Sequence, residues 1–316
     1  SSTQTMRMAF HAIKAGEGDI FISGGVECVS QYTNWAGAGA VQADTQNPRF
    51  APAAERSAAM AADNRTWTDP RDEGLLPDIY IQMGQTAENV ATSRGVSRAR
   101  QDEWGVTSQN RAEKAISEGV FAREILPVTV PDGTQVSTDD GPRAGVTLEA
   151  VSGLQPVFRA EGTVTAGNCC PLNDGASGVV IMSDQRAKNL GITPLARIVS
   201  TGVSGLSPEI MGMGPVEASR QALARAGMSI GDLDLYEINE AFAAQVRPSA
   251  DDLGMDLDKL NVHGGAIALG HPFGSTGTRI MTTLLNGLAS RDGQFGLETM
   301  CVGGGQGMAI IVERLS

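Results

Sequence analysis

The order of the predicted elements indicates a layered α/β protein. Amphipathic helical patterns alternate with short, buried apolar runs along most of the chain, an arrangement that packs helices onto sheets. The 316 residues, 41% of them hydrophobic, can bury a large core divided among two or more structural units. A glycine-rich stretch late in the chain carries two of the three histidines, and we expect the functional site there.

The first predicted elements are a helix and a strand. Residues 3–15 carry apolar side chains at helical spacing and end at Gly16, a common helix stop. Residues 19–23 follow as a short apolar run that predicts a buried strand. A helix that leads into a strand is half of an α/β unit.

The segment from about Tyr32 to Ala166 has a different composition. Tryptophan, proline and aspartate are frequent in it, and helical patterns occur around residues 53–65, 83–94 and 98–118. Ser97 is the predicted N-cap of the third helix. We predict an inserted, more exposed subdomain that covers a site.

From Thr163 the buried α/β pattern returns and continues to the end of the chain. The predicted strands are 178–183, 196–200, 233–238, 299–302 and 308–313, and the predicted helices are 184–190 and 215–226. This alternation again predicts sheets covered by helices.

Residues 261–278, NVHGGAIALGHPFGSTGT, predict the site itself. Glycine permits close approach of backbone to a ligand, and histidine is the side chain most easily poised for proton transfer near neutral pH. Apolar residues at helical spacing follow, so His271 lies just ahead of a helix N-terminus, which favours a developing negative charge. Taken alone, the stretch also fits a tight turn with a buried, purely structural histidine.

Two further polar groups lie at predicted strand ends. Asn239 follows strand 233–238, a position that contacts ligands in α/β sheets, although it could instead only cap the next helix. Cys301 ends another strand and is followed by a run that includes Gly303. A thiol there can transfer a proton while free backbone N–H groups hold an oxyanion.

Charge and cysteine content narrow the function classes. The net charge of −12 argues against a nucleic acid or an anionic membrane as partner. No apolar run is long enough to span a membrane and no signal-peptide pattern is present, so a cytoplasmic location is predicted. The four cysteines show no CxxC spacing, so we expect reduced thiols and no metal site.

Several motifs together resemble the thiolase family, which includes the 3-ketoacyl-CoA thiolases and the acetyl-CoA acetyltransferases. The matching motifs are MGQTAENVA (83–91), TVTAGN (163–168) with NDGASGVVIMS (173–183), GMGPVEASRQAL (212–223), NEAFAAQ (239–245), GGAIALGHPFGSTGTR (264–279) and CVGGGQGMA (301–309). They occur in the family's order and cover essentially the whole chain.

The resemblance implies a fold and its division. The expected fold is the five-layered αβαβα thiolase fold, built of two similar halves with a loop domain inserted in the first. The implied boundaries are residues 1–43 for the remainder of the N-terminal half, 44–165 for the loop domain, 166–192 for the return to the N-terminal half and 193–316 for the C-terminal half.

The resemblance also implies an activity and residue roles. Thiolases cleave a 3-ketoacyl-CoA with a second CoA, or run the reverse condensation, so CoA and acetyl-CoA are expected as substrates and no permanently bound cofactor is expected. His271 would activate the nucleophilic cysteine and polarise the thioester oxygen, and Asn239 would hold a water in that oxyanion hole. Cys301 would be the second acid/base, and the Gly303 N–H would contribute to a second oxyanion hole.

The nucleophile of the family begins a helix in a pattern like C-x-S-S/G-x-Q. Residues 1–4, SSTQ, match this pattern after its first two positions. We therefore expect the nucleophilic cysteine two residues before Ser1. We also expect the first strands and helices of the N-terminal half to precede it, because that half is otherwise incomplete. None of the four cysteines present matches the nucleophile position.

A further set of residues matches the CoA channel of relatives. It comprises Met83, Arg143, Cys170, Phe242 and His263. We expect Arg143 near the nucleotide phosphates, the alternative being an ordinary surface arginine. Cys170 stands where serine is common and His263 where asparagine is common.

Substrate preference and assembly are implied more loosely. Residues 18–30, GDIFISGGVECVS, are similar to degradative thiolases, which favours fatty-acid β-oxidation or steroid side-chain degradation. Gln82 stands where short-chain, acetoacetyl-type members have histidine. Family members are usually homodimers or homotetramers, so the same is expected here.

Two alternatives to a thiolase are considered. β-Ketoacyl synthases of the same superfamily use two histidines with their cysteine, whereas Asn239 and Cys301 fill those places here, which argues against them. A thiolase-like protein that binds acyl-CoA or lipid without catalysis is the second alternative. A nucleophilic cysteine ahead of Ser1 distinguishes it from an enzyme.

Overall fold

The computed structural model describes residues 1–31 and 46–316. The helices are α1 Ser2–Ala15, α2 Ala51–Ala62, α3 Met83–Arg94, α4 Arg98–Ser117, α5 Leu148–Ser152, α6 Asp184–Leu190, α7 Gly214–Ala226, α8 Ala243–Leu253, α9 Ala266–Leu269 and α10 Thr276–Ser290. The strands are β1 Ile20–Cys28, β2 Val128–Thr129, β3 Gln135–Val136, β4 Asp174–Met182, β5 Ala196–Gly205, β6 Leu235–Ile238, β7 Phe295–Val302 and β8 Gln306–Arg314. The predicted boundary between residues 43 and 44 lies outside the described residues.

Two sheets enclose a layer of two helices. β1 and β4 form an antiparallel pair, and β5, β8, β7 and β6, in that order, form a four-stranded sheet in which β6 and β7 run parallel. α1 and α10 pack between the two sheets, whereas α7, with α8 against it, covers the other face of the four-stranded sheet. These layers match the α/β class predicted from the sequence.

The strand β8 shows how the four-stranded sheet separates two cores. Ile311 packs with Val216 of α7, while its neighbours Ile310 and Val312 pack with Met6 of α1 and with α10. Successive side chains of a strand point to opposite faces, so a continuous apolar run serves both cores.

Local signals correctly placed several element ends. The side chain of Ser97 accepts a hydrogen bond from the Arg100 N–H and caps α4, and Gly16 ends α1 in a left-handed conformation. The strand predicted at residues 19–23 is longer in the structure, because β1 continues through Gly24 and Gly25 opposite β4. Cross-strand pairing therefore overrides the weak strand propensity of glycine.

The prediction of a more exposed inserted subdomain is wrong for α3 and α4. Residues 86–91 of α3 are all buried, as is Trp104 of α4. Both helices pack against α8, and α4 also packs against α9. These two helices thus lie over α8 and α9, the helices next to several of the predicted site residues.

The outer face of the β1–β4 sheet is apolar. Ile22 and Val26 of β1 and Val180 of β4 are exposed, Ile22 to 84%. Their alternate neighbours Phe21 and Val179 point inward, toward α1 and α10. In the part of the chain that the structure describes, no helix is long and apolar enough to cross a membrane.

Candidate active site

The start of α1 brings two predicted catalytic segments together. The Ser2 N–H donates to the Gly274 carbonyl at 3.0 Å, in the glycine-rich loop ahead of α10. On the other side, Thr3 Oγ1 lies 3.0 Å from Sδ of Met300, the neighbour of Cys301 in β7. The candidate site therefore lies where α1 begins and β7 ends.

His271 is held as a neutral base. Its Nδ1 lies 2.7 Å from Thr276 Oγ1, and that hydroxyl donates its only hydrogen to the Pro272 carbonyl at 2.9 Å. The hydroxyl must then accept from Nδ1–H, which leaves Nε2 free to take a proton. Burial lowers the pKa of His271 to about 3, with a smaller contribution from the positive charge of Arg279.

Asn239 presents an unsatisfied amide at the carboxyl end of β6. Its N–H donates to the Thr299 carbonyl of β7 at 3.0 Å, and its side chain is 1% exposed. Among the described residues neither side-chain atom, Oδ1 or Nδ2, has a hydrogen-bond partner. The alternative of a helix cap is wrong, because α8 begins at Ala243 with Phe242 as N-cap. A buried amide without partners is costly and indicates a place for a ligand or water.

Cys301 and Gly303 lie at the end of β7. Cys301 is 4% exposed, and burial raises the pKa of its thiol to about 12, so it carries its proton at neutral pH. Gly303 is exposed in the turn to β8. The turn is packed against the start of α7, since a side chain at Gly307 would overlap the backbone of Gly214. A proton-bearing thiol and an exposed turn glycine thus share one strand end.

Cys170 and Phe242, two of the predicted CoA-channel residues, lie beside Cys301. Phe242 and Cys301 belong to one buried cluster, and Cys170 packs against it. The Cys170 N–H donates to the Ala241 carbonyl at 3.0 Å, which ties this segment to the start of α8. Burial also raises the pKa of the Cys170 thiol.

Met83 lies next to Gly84, which packs against Phe158, a residue of this cluster that sequence reasoning missed. The Phe158 ring lies edge-on to Phe242 with centroids 6.3 Å apart. A side chain at Gly84, the neighbour of Met83, would overlap that ring. Met83 itself is 39% exposed, so it lies at the mouth of this apolar cluster. No motif of the sequence singles out Phe158.

Arg143 lies at the surface, near the helix that precedes His271. Its side chain is exposed, and its N–H donates to Gln109 Oε1 at 3.0 Å. Gln109 Nε2 in turn donates to the Ile267 carbonyl of α9 at 3.3 Å. An exposed guanidinium at this part of the surface suits a phosphate group, and the role of Arg143 in binding the nucleotide phosphates remains a prediction.

The structure does not bring His263 into the site. Its ring is 7% exposed and packs near Gly287, in the last part of α10. Gly287 lies roughly 16 Å along the helix axis from the start of α10, at about 1.5 Å per residue. The expectation that His263 lines the CoA channel therefore gains no support from the geometry.

Glu240, next to Asn239, was also missed as a functional position. It is fully buried and accepts four hydrogen bonds: from Trp104 Nε1 at 3.1 Å, Ser108 Oγ at 2.6 Å, Asn261 Nδ2 at 2.8 Å and the Ile267 N–H at 3.1 Å. Two of these donors belong to α4 and two to residues 261–267, so the carboxyl group fastens the glycine-rich loop to α4. Its place in the motif NEAF is the only signal in the sequence.

Comparison with known proteins agrees with this geometry. Residues 1–185 match the thiolase N-terminal domain, and residues 192–314 match the thiolase C-terminal domain. The acetyl-CoA acetyltransferase of Cupriavidus necator is 45% identical over 99% of this chain and 77% of its own length. That of Escherichia coli is 42% identical over 100% of this chain and 77% of its own length.

Solved thiolase structures share the fold. The dimeric peroxisomal thiolase of Saccharomyces cerevisiae matches with a TM-score of 0.86 and 37% identity, over 99% of this chain and 74% of that one. Human mitochondrial 3-ketoacyl-CoA thiolase in complex with CoA matches with a TM-score of 0.81 and 37% identity, over 99% of this chain and 75% of that one. On the agreement of motifs, fold and site, this chain belongs to the thiolase family.

Proposed function

We propose that the protein is an acyl-CoA C-acyltransferase that cleaves a 3-ketoacyl-CoA with CoA, or runs the reverse condensation, through a cysteine thioester. The observation that carries the proposal is that the start of α1 contacts both the loop that carries His271 and the strand that carries Cys301, and that Asn239, with its unsatisfied amide, is bonded to the same strand. The relatives named acetyl-CoA acetyltransferase and the CoA-bound human thiolase support it.

The first half of the reaction transfers the acyl group to the enzyme. His271 Nε2 takes the proton of the nucleophilic thiol, and the thiolate attacks the 3-keto carbon. When the C2–C3 bond breaks, its electron pair passes to C2 as an enolate, which takes the proton of the Cys301 thiol. His271 and a water on Asn239 would hold the thioester oxygen of the enolate, and the Gly303 N–H would hold the tetrahedral oxyanion.

The second half returns both protons. The Cys301 thiolate takes the proton of the incoming CoA thiol, whose sulfur attacks the acyl-enzyme carbonyl. The C–S bond to the enzyme breaks, and the departing thiolate recovers its proton from His271. The resting states fit this order, since His271 begins as an acceptor and Cys301 begins as a donor.

The nucleophile is the cysteine that the family pattern places two residues ahead of Ser1. The Ser2 N–H donates to the carbonyl of Gly274, three residues after His271. The start of α1 therefore lies beside the loop that carries the base.

The test is a mass measurement on the protein purified from its natural source. After incubation with acetyl-CoA we expect the mass to rise by one acetyl group, and peptide mapping to place that group on a cysteine preceding Ser1. Added CoA should remove it, because thiolysis is the second half-reaction. Absence of an adduct while CoA still binds would overturn the proposal in favour of a non-catalytic acyl-CoA-binding protein.

We further propose that the natural substrates have longer or bulkier acyl chains than acetoacetyl-CoA, as in β-oxidation or steroid side-chain degradation. The similarity of residues 18–30 to degradative thiolases and the presence of Gln82 support this. The comparison of kcat/KM for acetoacetyl-CoA, a long-chain 3-ketoacyl-CoA and a steroid 3-ketoacyl-CoA tests it.

We also propose a cytoplasmic location and assembly as a homodimer or homotetramer.

A further inference from the structure

Glu298 is a fully buried carboxyl group between the catalytic elements. It lies in β7, three residues before Cys301, and is 0% exposed. Its Oε1 is 2.6 Å from Thr3 Oγ1, in the first turn of α1. Its Oε2 has no hydrogen-bond partner among the described residues. The mechanism proposed above does not use this group.

The hydrogen-bond pattern around Thr3 favours a protonated Glu298. Thr3 Oγ1 lies 3.0 Å from Met300 Sδ as well as 2.6 Å from Glu298 Oε1, but a hydroxyl carries only one hydrogen. Both contacts are satisfied if Glu298 donates to Thr3 and Thr3 donates to the sulfur. An ionised Glu298 would take the Thr3 hydrogen, and Met300 Sδ would keep only the hydrogen bond from Ser1 Oγ at 2.9 Å, with the Thr3 oxygen facing the sulfur without a hydrogen between them.

Burial also favours the neutral form, although a positive charge lies nearby. In the described chain the charged groups facing Glu298 are Glu237, its partner in β6, and Arg279 of α10; Thr3 of α1 and Ile310 of β8 are uncharged. Arg279 also interacts with Glu124, Asp139 and Glu240, so its one positive charge is shared among several carboxyl groups. Burial raises the pKa of Glu298 to about 8 and raises that of Glu237 as well.

These groups belong to the elements that carry the catalytic residues. Glu237 precedes Asn239 by two positions in the chain, and Arg279 donates to the carbonyl of Gly270 at 3.2 Å, next to His271. Thr3 lies in the helix that the nucleophile would begin. A side chain at Gly277 would overlap Thr3, so α1 and α10 are already in backbone contact here.

We propose that Glu298, as a neutral carboxylic acid bonded to Thr3, is a positioning residue that fixes the start of α1 relative to Cys301 and His271. The proposal rests on the thiolase function proposed above. Loss of the Glu298 proton would place a buried charge beside the carboxyl group of Glu237 and reverse the Thr3 hydrogen bond. The start of α1 would then shift, and with it the nucleophile.

The first experiment compares the pH profiles of thiolysis for the wild type and Glu298→Gln. One pH unit above a pKa of about 8, roughly ten of eleven Glu298 groups are ionised, so the wild-type kcat should fall about tenfold between pH 7 and pH 9. Glu298→Gln cannot ionise, and its kcat should fall by no more than about twofold over the same interval. Glu161→Gln, which changes an exposed carboxylate, should follow the wild type. An equal fall in Glu298→Gln and wild type would overturn the proposal.

The second experiment does not depend on activity. The folded-state pKa of Glu298 is raised above its unfolded value of 4.5, so its contribution to stability is fully present below pH 4.5, declines as the pH rises, and is fully lost once the pH has passed about 8. The urea midpoint of the wild type should therefore drop between pH 7 and pH 9, and that of Glu298→Gln should drop less. If neither protein catalyses thiolysis but this difference is found, the proposed function fails while the neutral state of Glu298 stands.

A third comparison covers the case in which Glu298→Gln does not fold. Thr3→Val removes the hydroxyl and should lower kcat at pH 7 by about tenfold, with the KM for CoA changed by less than about twofold. Thr3→Ser restores the hydroxyl and should recover most of that loss. A normal kcat in Thr3→Val, or a loss that Thr3→Ser does not recover, would contradict the positioning role.

Discussion

At the residue scale, burial sets the resting states of both acid–base groups. It lowers the pKa of His271 to about 3 and raises that of Cys301 to about 12, so both are neutral at pH 7. The same physical cause makes one a proton acceptor and the other a proton donor, because burial disfavours the charged form of each group. The unsatisfied side-chain amide of Asn239 has a different role, because it would hold an oxygen by hydrogen bonding and would not carry a proton.

The role of Cys301 is tested by Cys301→Ala. The variant removes the proton that the enolate takes, so kcat should fall roughly 10²- to 10⁴-fold, as for other acid–base groups. The KM for the 3-ketoacyl-CoA should change little, since the thiol is small and its neighbours remain. Cys28→Ser, at an exposed cysteine, is the control and should keep wild-type rates. A Cys301→Ala enzyme with near-normal kcat would remove Cys301 from the mechanism.

The buried neutral state of His271 predicts acid sensitivity. The folded pKa, about 3, lies below the unfolded value of 6.5, so the unfolded chain binds more protons between these values and stability falls as the pH falls through them. Between pH 6.5 and pH 5 this amounts to ~2 kcal/mol, at 1.36 kcal/mol per pH unit. His271→Gln lacks this loss, which urea unfolding at pH 7 and pH 5 would measure. His11→Gln, at an exposed histidine, keeps His271 and should lose nearly as much stability as the wild type, and an equal loss in His271→Gln would contradict the assignment.

At the element scale, the site depends on how closely α1 approaches α10. The hydroxyl of Ser2 accepts from the Thr278 N–H at 2.9 Å and donates to the Ser275 carbonyl at 3.0 Å. Gly277 makes this approach possible, because any side chain there would overlap the backbone and side chain of Thr3. The two helix starts are thus locked together on the side of the site where the nucleophile is expected.

Two alanine substitutions in α10 should separate this contact from helix propensity. Gly277→Ala forces α1 and α10 apart, so we expect a loss of about 1–3 kcal/mol in the free energy of unfolding and a lower kcat. Gly287→Ala meets the movable end of Leu235 at 3.1 Å and makes ordinary contact with the His263 ring at 3.6 Å, and it gains up to about 1 kcal/mol of helix propensity. Urea unfolding and thiolysis of both variants test this. If both variants changed the free energy of unfolding by the same amount, the contact between α1 and α10 would not be critical.

At the scale of the whole molecule, local signals predicted much of the fold. α1, α4 and α6 were placed within a residue or two because their ends depend on nearby residues such as Ser97, Gly16 and Gly191. The full length of β1 was not predictable, because its glycines are held in the strand only by pairing with β4. The burial of α3 and α4 depends in the same way on α8, which lies far along the chain.

The site was predictable where motifs carry it and not where distant contacts build it. His271, Asn239 and Cys301 stood out by their glycine-rich or strand-end surroundings. Glu298 did not, since its contact with Thr3 spans 295 positions of the sequence and a buried carboxyl in a strand looks like an ordinary polar residue until the packing is known. Phe158 was missed for the same reason, because its neighbours lie on other elements.

The apolar outer face of the β1–β4 sheet leads to a prediction about assembly. Ile22 is 84% exposed on that face, and the yeast neighbour is described as dimeric. If two copies meet through this apolar face, Ile22→Asp would place a charge in the contact and shift a homo-oligomer toward monomer. Leu126→Asp is the matched control, because Leu126 is also 84% exposed but lies just ahead of β2. Sedimentation velocity should show dissociation for the first variant alone; an unchanged oligomer with Ile22→Asp would place the interface elsewhere.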